Sequence, residues 1–142
     1  MSELTLYSAA TKAVLLQTRE CGRIRDVLKQ RGIGFERWPA QHQLDCDASI
    51  AQILATYKRE IEWTQERGNF PSVDAIRVLP DHPDRESLRQ KFLKEHVHAE
   101  DEVRFFVEGC GLFCLHIGDE VVQVLCETND WISVPAGTRH WF

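Results

Sequence analysis

The chain has 142 residues, of which 43% are hydrophobic and 27% charged, with a formal net charge of −5. A chain of this length can bury the core of one domain, and the composition is typical of a soluble globular protein. The acidic balance and the scattered basic residues argue against nucleic acid or an anionic membrane as a partner.

The five cysteines are an odd number without a regular framework, which favours a reducing compartment and free thiols buried as small apolar residues. No apolar run is long enough to cross a bilayer, and the N-terminal residues lack the apolar core of a signal peptide. We therefore expect a cytoplasmic protein, and the composition is compatible with a monomer.

The first half of the chain predicts short strands mixed with helices. Apolar residues indicate strands over residues 4–7 and 13–17. Thr18 is placed to cap a helix with the apolar face Ile24, Val27 and Leu28, and Gly32 to end it. Apolar residues at helical spacing over 50–61 predict a second helix.

The chain changes character in its second half. A last helix is expected over residues 85–94, after breakers at Pro80 and Pro83. Strand-like segments then follow closely, with Gly118-Asp119 as a tight hairpin turn; they cover residues 103–108, 111–117, 120–127 and 131–134. The pattern predicts a mainly β fold, an antiparallel β-barrel of jelly-roll type with α-helices packed outside.

Three histidines and a carboxylate form the candidate metal site. His96 and His98 are two residues apart, so in a strand both side chains point to one face. His140 follows a Pro-x-Gly turn that can aim it inward. A mixed imidazole and carboxylate set suits iron, nickel, manganese or zinc. Glu102 and Glu100 both qualify as the carboxylate, although the bend before Glu102 favours it. The remaining histidines lack such partners and are expected to be surface or hydrogen-bonded residues: His42, His82 and His116.

Two segments resemble the paired cupin motifs. The first reads His96-x-His98, three residues, Glu102, six residues, Gly109. The second reads Pro135-x-Gly137-x-x-His140, with Asn129 where the cupin pattern has a leading glycine. Asparagine tolerates the left-handed backbone that this glycine adopts. The resemblance assigns the carboxylate to Glu102 and implies a single cupin domain over residues 1–142. The family pattern continues past Phe142, so we expect a domain shortened at its C-terminus.

Residues 88–109 resemble acireductone dioxygenase of methionine salvage more closely than a general cupin. The shared core is Glu95-His-x-His-x-x-Asp101-Glu-x-Arg104-Phe. The resemblance implies one Fe2+ or Ni2+ per chain, held by His96, His98, Glu102 and His140. It also implies that Arg104 helps form the substrate dianion, that Glu95 serves metal incorporation and that Asp101 relays conformational change.

The resemblance further implies a substrate and a pocket. The substrates are 1,2-dihydroxy-3-keto-5-(methylthio)pentene and dioxygen, and three aromatic residues are candidates for an apolar wall around the methylthio tail: Phe92, Phe105 and Phe142. Two other functions fit the same residues: a different cupin metalloenzyme, or a non-catalytic cupin module that binds a small ligand through its metal. Arg104, on the same strand face as Glu102, favours an enzyme.

Overall fold

The computed structural model describes residues 1–39 and 42–142, which form two antiparallel sheets and four helices. In chain order the elements are β1 (Glu3–Ser8), β2 (Val14–Thr18), α1 (Cys21–Lys29), β3 (Gly34–Arg37), α2 (Ile50–Thr56), α3 (Lys58–Gln65), α4 (Arg85–Leu93), β4 (Glu102–Phe105), β5 (Cys110–Ile117), β6 (Glu120–Glu127), β7 (Asp130–Val134) and β8 (Arg139–Trp141). One sheet has the order β2-β1-β6-β5-β8 and the other β3-β7-β4.

Alternating side chains explain why these strands enclose a core. In β6 the apolar residues Val122, Val124 and Cys126 are all fully buried, and the residues between them are half-buried. They share one apolar core with residues of β1, β5 and β7 and with the buried face of α1. A strand that buries every second residue covers a core on one side only. The two sheets therefore face each other across this core.

The predicted hairpin at Gly118-Asp119 is confirmed. Ile117 of β5 pairs with Glu120 of β6, which leaves two residues in the turn. Gly118 stands first and has φ +57°, a backbone conformation that residues with a side chain rarely adopt.

Two helices cover the outer face of the three-stranded sheet through aromatic contacts. Trp131 of β7 stacks on Trp38 with 5.4 Å between the ring centroids, and its Nε1 donates to Thr64 Oγ1 of α3 at 3.1 Å. Phe105 of β4 contacts both Trp38 and Tyr57, at 5.7 and 6.0 Å. Stacked and edge-to-face pairs at such distances stabilise beyond their burial. The predicted packing of helices outside the sheets is thus present.

Gly32 terminates α1 as predicted. It has φ +77°, its N–H donates to the carbonyl of Lys29 and the N–H of Ile33 donates to that of Leu28, the bonds of a C-terminal glycine motif. Two details of the predicted helices are corrected. Thr18 ends β2 and does not cap α1, because its hydroxyl accepts from the N–H of Glu20, which is the N-cap residue. The single helix expected over residues 50–61 is divided at Tyr57, whose φ of −100° and ψ of 20° leave helical geometry.

The strand predictions also need two corrections. Strand β3 was not predicted. Phe35 is the one large apolar side chain among its four residues, so the sequence shows no alternation of apolar and polar positions there. The segment expected over 103–108 begins one residue earlier and ends at Phe105. One further backbone bond to β7 follows the strand, because the N–H of Phe106 donates to the carbonyl of Asp130 at 2.9 Å.

All five cysteines lie in the described part of the chain and are free thiols, two of them buried. Within residues 1–39 and 42–142, no helix combines the length and the apolar character that crossing a membrane requires.

Candidate metal centre

The candidate ligands come from both sheets and from the segment that connects them. Glu102 begins β4 of the three-stranded sheet, and His140 is the central residue of β8 in the five-stranded sheet. His96 and His98 lie between α4 and β4. The backbones of His96 and His140 exchange two hydrogen bonds of 2.9 Å, which fasten this connecting segment to the edge of β8.

This arrangement corrects one expectation about His96 and His98. The two residues do not lie in a strand, since only His96 makes an isolated bridge. The bridge fixes the backbone of His96, and the N–H of Gly137 donates to the carbonyl of His98 at 3.0 Å. The two rings are therefore held near each other by contacts with β8 and the turn before it, and not by strand geometry.

The three imidazoles form one cluster. Their ring centroids are 4.5 to 5.0 Å apart, and a nitrogen from each ring lies within 4.8 Å of the others. Glu102 Oε2 is 3.3 Å from His98 Nε2 and 3.1 Å from His140 Nε2. Ligands about 2.1 Å from one transition-metal ion are about 3 Å apart when adjacent and about 4.2 Å apart when opposite. The two distances from Glu102 Oε2 match adjacent ligands of a single ion, whereas the 4.8 Å limit among the imidazole nitrogens is slightly wider than opposite ligands require.

Hydrogen bonds to the backbone set the tautomers of two rings. His96 Nδ1 is 2.7 Å from the carbonyl of Lys94, and His140 Nδ1 is 2.9 Å from the carbonyl of Thr138. Because a carbonyl only accepts, each Nδ1 carries hydrogen. In a neutral ring the lone pair is then on Nε2, which is the nitrogen that faces the cluster. Such bonds orient metal-binding histidines in proteins.

Two buried atoms at the centre test whether a cation fits. Among the residues that the structure describes, neither Glu102 Oε2 nor His140 Nε2 has a hydrogen-bond partner, although they are 3.1 Å apart. Two lone pairs at this distance repel unless a proton or a cation lies between them. An unpaired buried polar group is costly. The donor set and these two atoms therefore fit a divalent transition metal.

The charges at the centre favour an ionised carboxylate. Burial alone raises the pKa of Glu102, but His140 and the Arg104 guanidinium outweigh it and bring the pKa to about 2. Burial lowers the pKa of His140, but the facing Glu102 carboxylate outweighs it, so that the pKa is raised. In the metal-free protein a proton on His140 thus occupies the place that suits a cation.

Arg104 lies beside the cluster on the same strand face as Glu102. Its Nε donates to Glu102 Oε1 at 2.8 Å, which leaves the other carboxylate oxygen for the imidazoles. The guanidinium carbon is 5.5 Å from the ring centroid of Phe92 and 5.4 Å from that of Phe142. These distances are those of cation–π contacts. The backbone N–H of Phe142 also donates to the carbonyl of Phe92 at 2.8 Å.

The structure does not bring Phe105 to this group of residues. Side chains alternate along a strand, so Phe105 points away from the face that carries Glu102 and Arg104. It packs instead against Trp38 and Tyr57 on the outside of the sheet.

Asp101 and Glu95 flank the cluster at two different contacts. Asp101 Oδ1 accepts from the N–H of Ala136 at 2.8 Å, and the N–H of Gly137 donates to the carbonyl of His98 at 3.0 Å. The Pro-x-Gly turn before His140 is thereby fastened to the segment that carries the other ligands. Glu95 is exposed and lies 3.4 Å from His116 Nδ1.

Two turn residues behave as the motif comparison predicts. Gly137 has φ +79°, and Asn129, which replaces the leading glycine of the second motif, also has φ +79°. The expected left-handed conformation of Asn129 is confirmed.

Of the other histidines in the described residues, none joins the three-imidazole group. His42 and His116 contact carboxylates, and His82 accepts a hydrogen bond from a backbone N–H.

One residue at the site was missed from sequence. Phe113 of β5 is 1% exposed and stacks on the His140 imidazole, with 5.5 Å between centroids and 20° between planes. Its only signal is its place among alternating buried residues, which is shared by every core position of the strand. The carbonyls of Lys94 and Thr138 carry no side-chain signal at all.

Comparisons with known proteins show the family of the chain. A model of the ARD/ARD′ family matches residues 5–142. The chain is 66% identical to an acireductone dioxygenase of Prochlorococcus marinus (strain MIT 9313) and 60% identical to one of Synechococcus sp. (strain WH7803). These alignments cover 100% of this chain and 80% and 79% of the relatives.

A solved structure is similar over nearly the same length. It is an acireductone dioxygenase from Bacillus anthracis with a cadmium ion in its active centre. The TM-score is 0.83 at 27% sequence identity, over 99% of this chain and 84% of that one. This similarity confirms the predicted cupin-type barrel.

Proposed function

Because this chain belongs to the ARD/ARD′ family, we propose that it is an acireductone dioxygenase with one metal centre per chain. The proposed ligands are His96, His98, Glu102 and His140. The observation that carries the assignment is the approach of Glu102 Oε2 to within 3.3 Å of two imidazole nitrogens. One of them, His140 Nε2, has no proton to offer when its ring is neutral, because Nδ1 donates to the carbonyl of Thr138. A metal ion accounts for this convergence.

The proposed resident ion is Fe2+ or Ni2+. When bound, it supplies a Lewis acid and a template that orients the enediol oxygens of the substrate. Four protein ligands would leave room for those oxygens on a six-coordinate ion. The side chain of His98 is 47% exposed, whereas His140 is almost fully buried. Substrate would therefore approach from the side of His98.

Arg104 is proposed to hold the ionised substrate. Its side chain stays charged at any physiological pH and has further N–H groups besides the Nε that donates to Glu102. A cation at this place lowers the pKa of a nearby substrate hydroxyl, so that the dianion forms more readily. The rings of Phe92 and Phe142 beside the guanidinium provide an apolar surface for the methylthio tail. Phe105 is omitted from this role, since it faces the outer helices.

Asp101 and Glu95 are proposed to serve the metal site without contacting substrate. The hydrogen bond from Ala136 to Asp101 links the turn before His140 to the segment of the other ligands, so a shift of either side is passed to the other. Glu95 is an exposed carboxylate adjacent in sequence to His96. It is suited to attract a hydrated cation during metal incorporation.

The substrates proposed for this chain are 1,2-dihydroxy-3-keto-5-(methylthio)pentene and dioxygen. By the resemblance to its family, the iron form gives 4-methylthio-2-oxobutanoate and formate. The nickel form gives 3-methylthiopropionate, formate and carbon monoxide. We further propose a monomer in the cytoplasm; the five free thiols support a reducing compartment.

The function is tested with protein loaded with either Fe2+ or Ni2+. Substrate is first bound without oxygen, and its ultraviolet absorbance reports the dianion. Oxygen is then admitted, and oxygen consumption and carbon monoxide are measured. We expect oxygen uptake with both metals and carbon monoxide with nickel only. Metal-loaded protein that binds substrate but consumes no oxygen would instead be a binding module.

A further inference from the structure

Gly111 lies where a side chain would collide with an aromatic ring of the site. It is the second residue of β5, opposite Cys126, and belongs to neither cupin motif. A Cβ at this position would be 2.2 Å from Phe142 Cζ and 2.7 Å from Phe142 Cε2. It would also be 3.0 Å from Phe106 Cε1. Its φ lies outside the left-handed region, so the backbone itself does not require glycine.

The ring of Phe142 is partly buried and contacts several side chains besides Gly111. Its centroid is 5.5 Å from that of Phe113, 6.0 Å from Phe106 and 6.2 Å from Phe92. The Arg104 guanidinium lies 5.4 Å from the same ring. A ring displaced from Gly111 therefore changes its contacts with these neighbours, among them Arg104 and the buried Phe113, which stacks on His140.

We propose that Gly111 is a positioning residue for the dioxygenase reaction. Its missing side chain creates the space in which the Phe142 ring sits, and the seated ring holds the Arg104 guanidinium in its orientation toward substrate. Gly111 touches neither metal nor substrate and acts through Phe142. The effect on turnover rests on the proposed function, whereas the effect on the orientation of Arg104 does not.

The test compares Gly111→Ala with Gly22→Ala in the full chain. Gly22 is a suitable control, because a Cβ there meets nothing within 4 Å and its φ is not left-handed. We expect Gly111→Ala to keep its metal and to lose kcat/KM by roughly 2- to 30-fold, the range that corresponds to one cation–π contact. Gly22→Ala should stay close to the parent protein in both measurements.

A double-mutant cycle with Phe142→Leu separates positioning from general damage to the fold. If Gly111 acts through the Phe142 ring, Gly111→Ala should cost little further activity once that ring is removed. An additive loss in the double variant would overturn the proposal. So would a loss of metal or a fall in Tm that accounts for the whole effect of Gly111→Ala.

A second readout needs no catalysis. In 15N-labelled protein loaded with Zn2+, the cross peak of the Arg104 Nε–H should shift in Gly111→Ala and in Phe142→Leu but not in Gly22→Ala. If the parent protein proves inactive, the proposed function fails while this measurement still decides the role of Gly111. An Arg104 cross peak unmoved in Phe142→Leu would refute the proposal, even if Gly111→Ala did not fold.

Discussion

Replacing Arg104 by alanine removes the cation beside the proposed metal ligands without removing one of them. The guanidinium donates to Glu102 at 2.8 Å and is 27% exposed. Two unit charges about 4 Å apart, at an effective dielectric constant of about 20, interact with ~4 kcal/mol before desolvation. If a substrate anion makes this interaction fully in the transition state, its loss lowers the rate by about three orders of magnitude. Partial exposure makes that figure an upper limit, so we expect kcat/KM to fall by about 100- to 1000-fold.

The metal should remain in the Arg104→Ala variant. Glu102, whose pKa is about 2, is held ionised by His140 as well as by Arg104, so it stays a carboxylate at neutral pH when one of these partners is lost.

The assay measures metal content by elemental analysis and oxygen uptake in the steady state. Arg104→Lys is the matched control; it keeps the charge but loses the planar set of donors, and should fall between the parent and Arg104→Ala. A fully metallated Arg104→Ala variant that turns over normally would refute the reasoning, and so would one that loses its metal.

Three further perturbations address the ligands and the fold. Glu102→Gln keeps the shape of the side chain but removes its charge. Metal affinity, measured by competition with a chelator, should fall by more than about 100-fold, which exceeds the effect of mutating residues that only contact a ligand. An unchanged affinity would exclude Glu102 as a ligand. Metal affinity should weaken progressively as the pH falls below the raised pKa of His140 in the metal-free protein, because a proton then competes with the metal for this imidazole. The protonated ring also stabilises the metal-free fold through Glu102, a contribution present at low pH and lost as the pH rises through that pKa. Ser49→Ala removes the capping bond from the N–H of Gln52. It should lower the free energy of unfolding by ~1 kcal/mol and leave activity unchanged. The exposed control Ser72→Ala should change neither stability nor activity.

The elements that could be predicted are those whose periodicity is local. Strand β6 was predicted with its observed bounds, because alternate residues from Val122 to Cys126 are apolar and a two-residue turn precedes them. The left-handed Asn129 followed instead from the resemblance to the cupin motif, in which a glycine stands at this place, together with the tolerance of asparagine for that backbone conformation.

The features that could not be predicted depend on contacts between distant segments. The helix over residues 50–61 is broken at Tyr57, where the side chain packs edge-to-face against Phe105 of β4. Helical spacing continues through this break, so periodicity cannot reveal it. The segment of His96 and His98 likewise takes its conformation from the bridge to β8, and no pattern within the segment indicates that partner.

The proposed ligands come from separate parts of the chain. Glu102 belongs to one sheet and His140 to the other, and His96 is bonded through its backbone to the same strand as His140. A metal ion bound by these residues would therefore join the edges of the two sheets. Conversely, the buried pair of unprotonated acceptors can persist without a proton only if an ion offsets their repulsion. The four proposed ligands would thus hold the two sheet edges together and bind the metal at the same time. Each of the two motifs supplies only part of this ligand set.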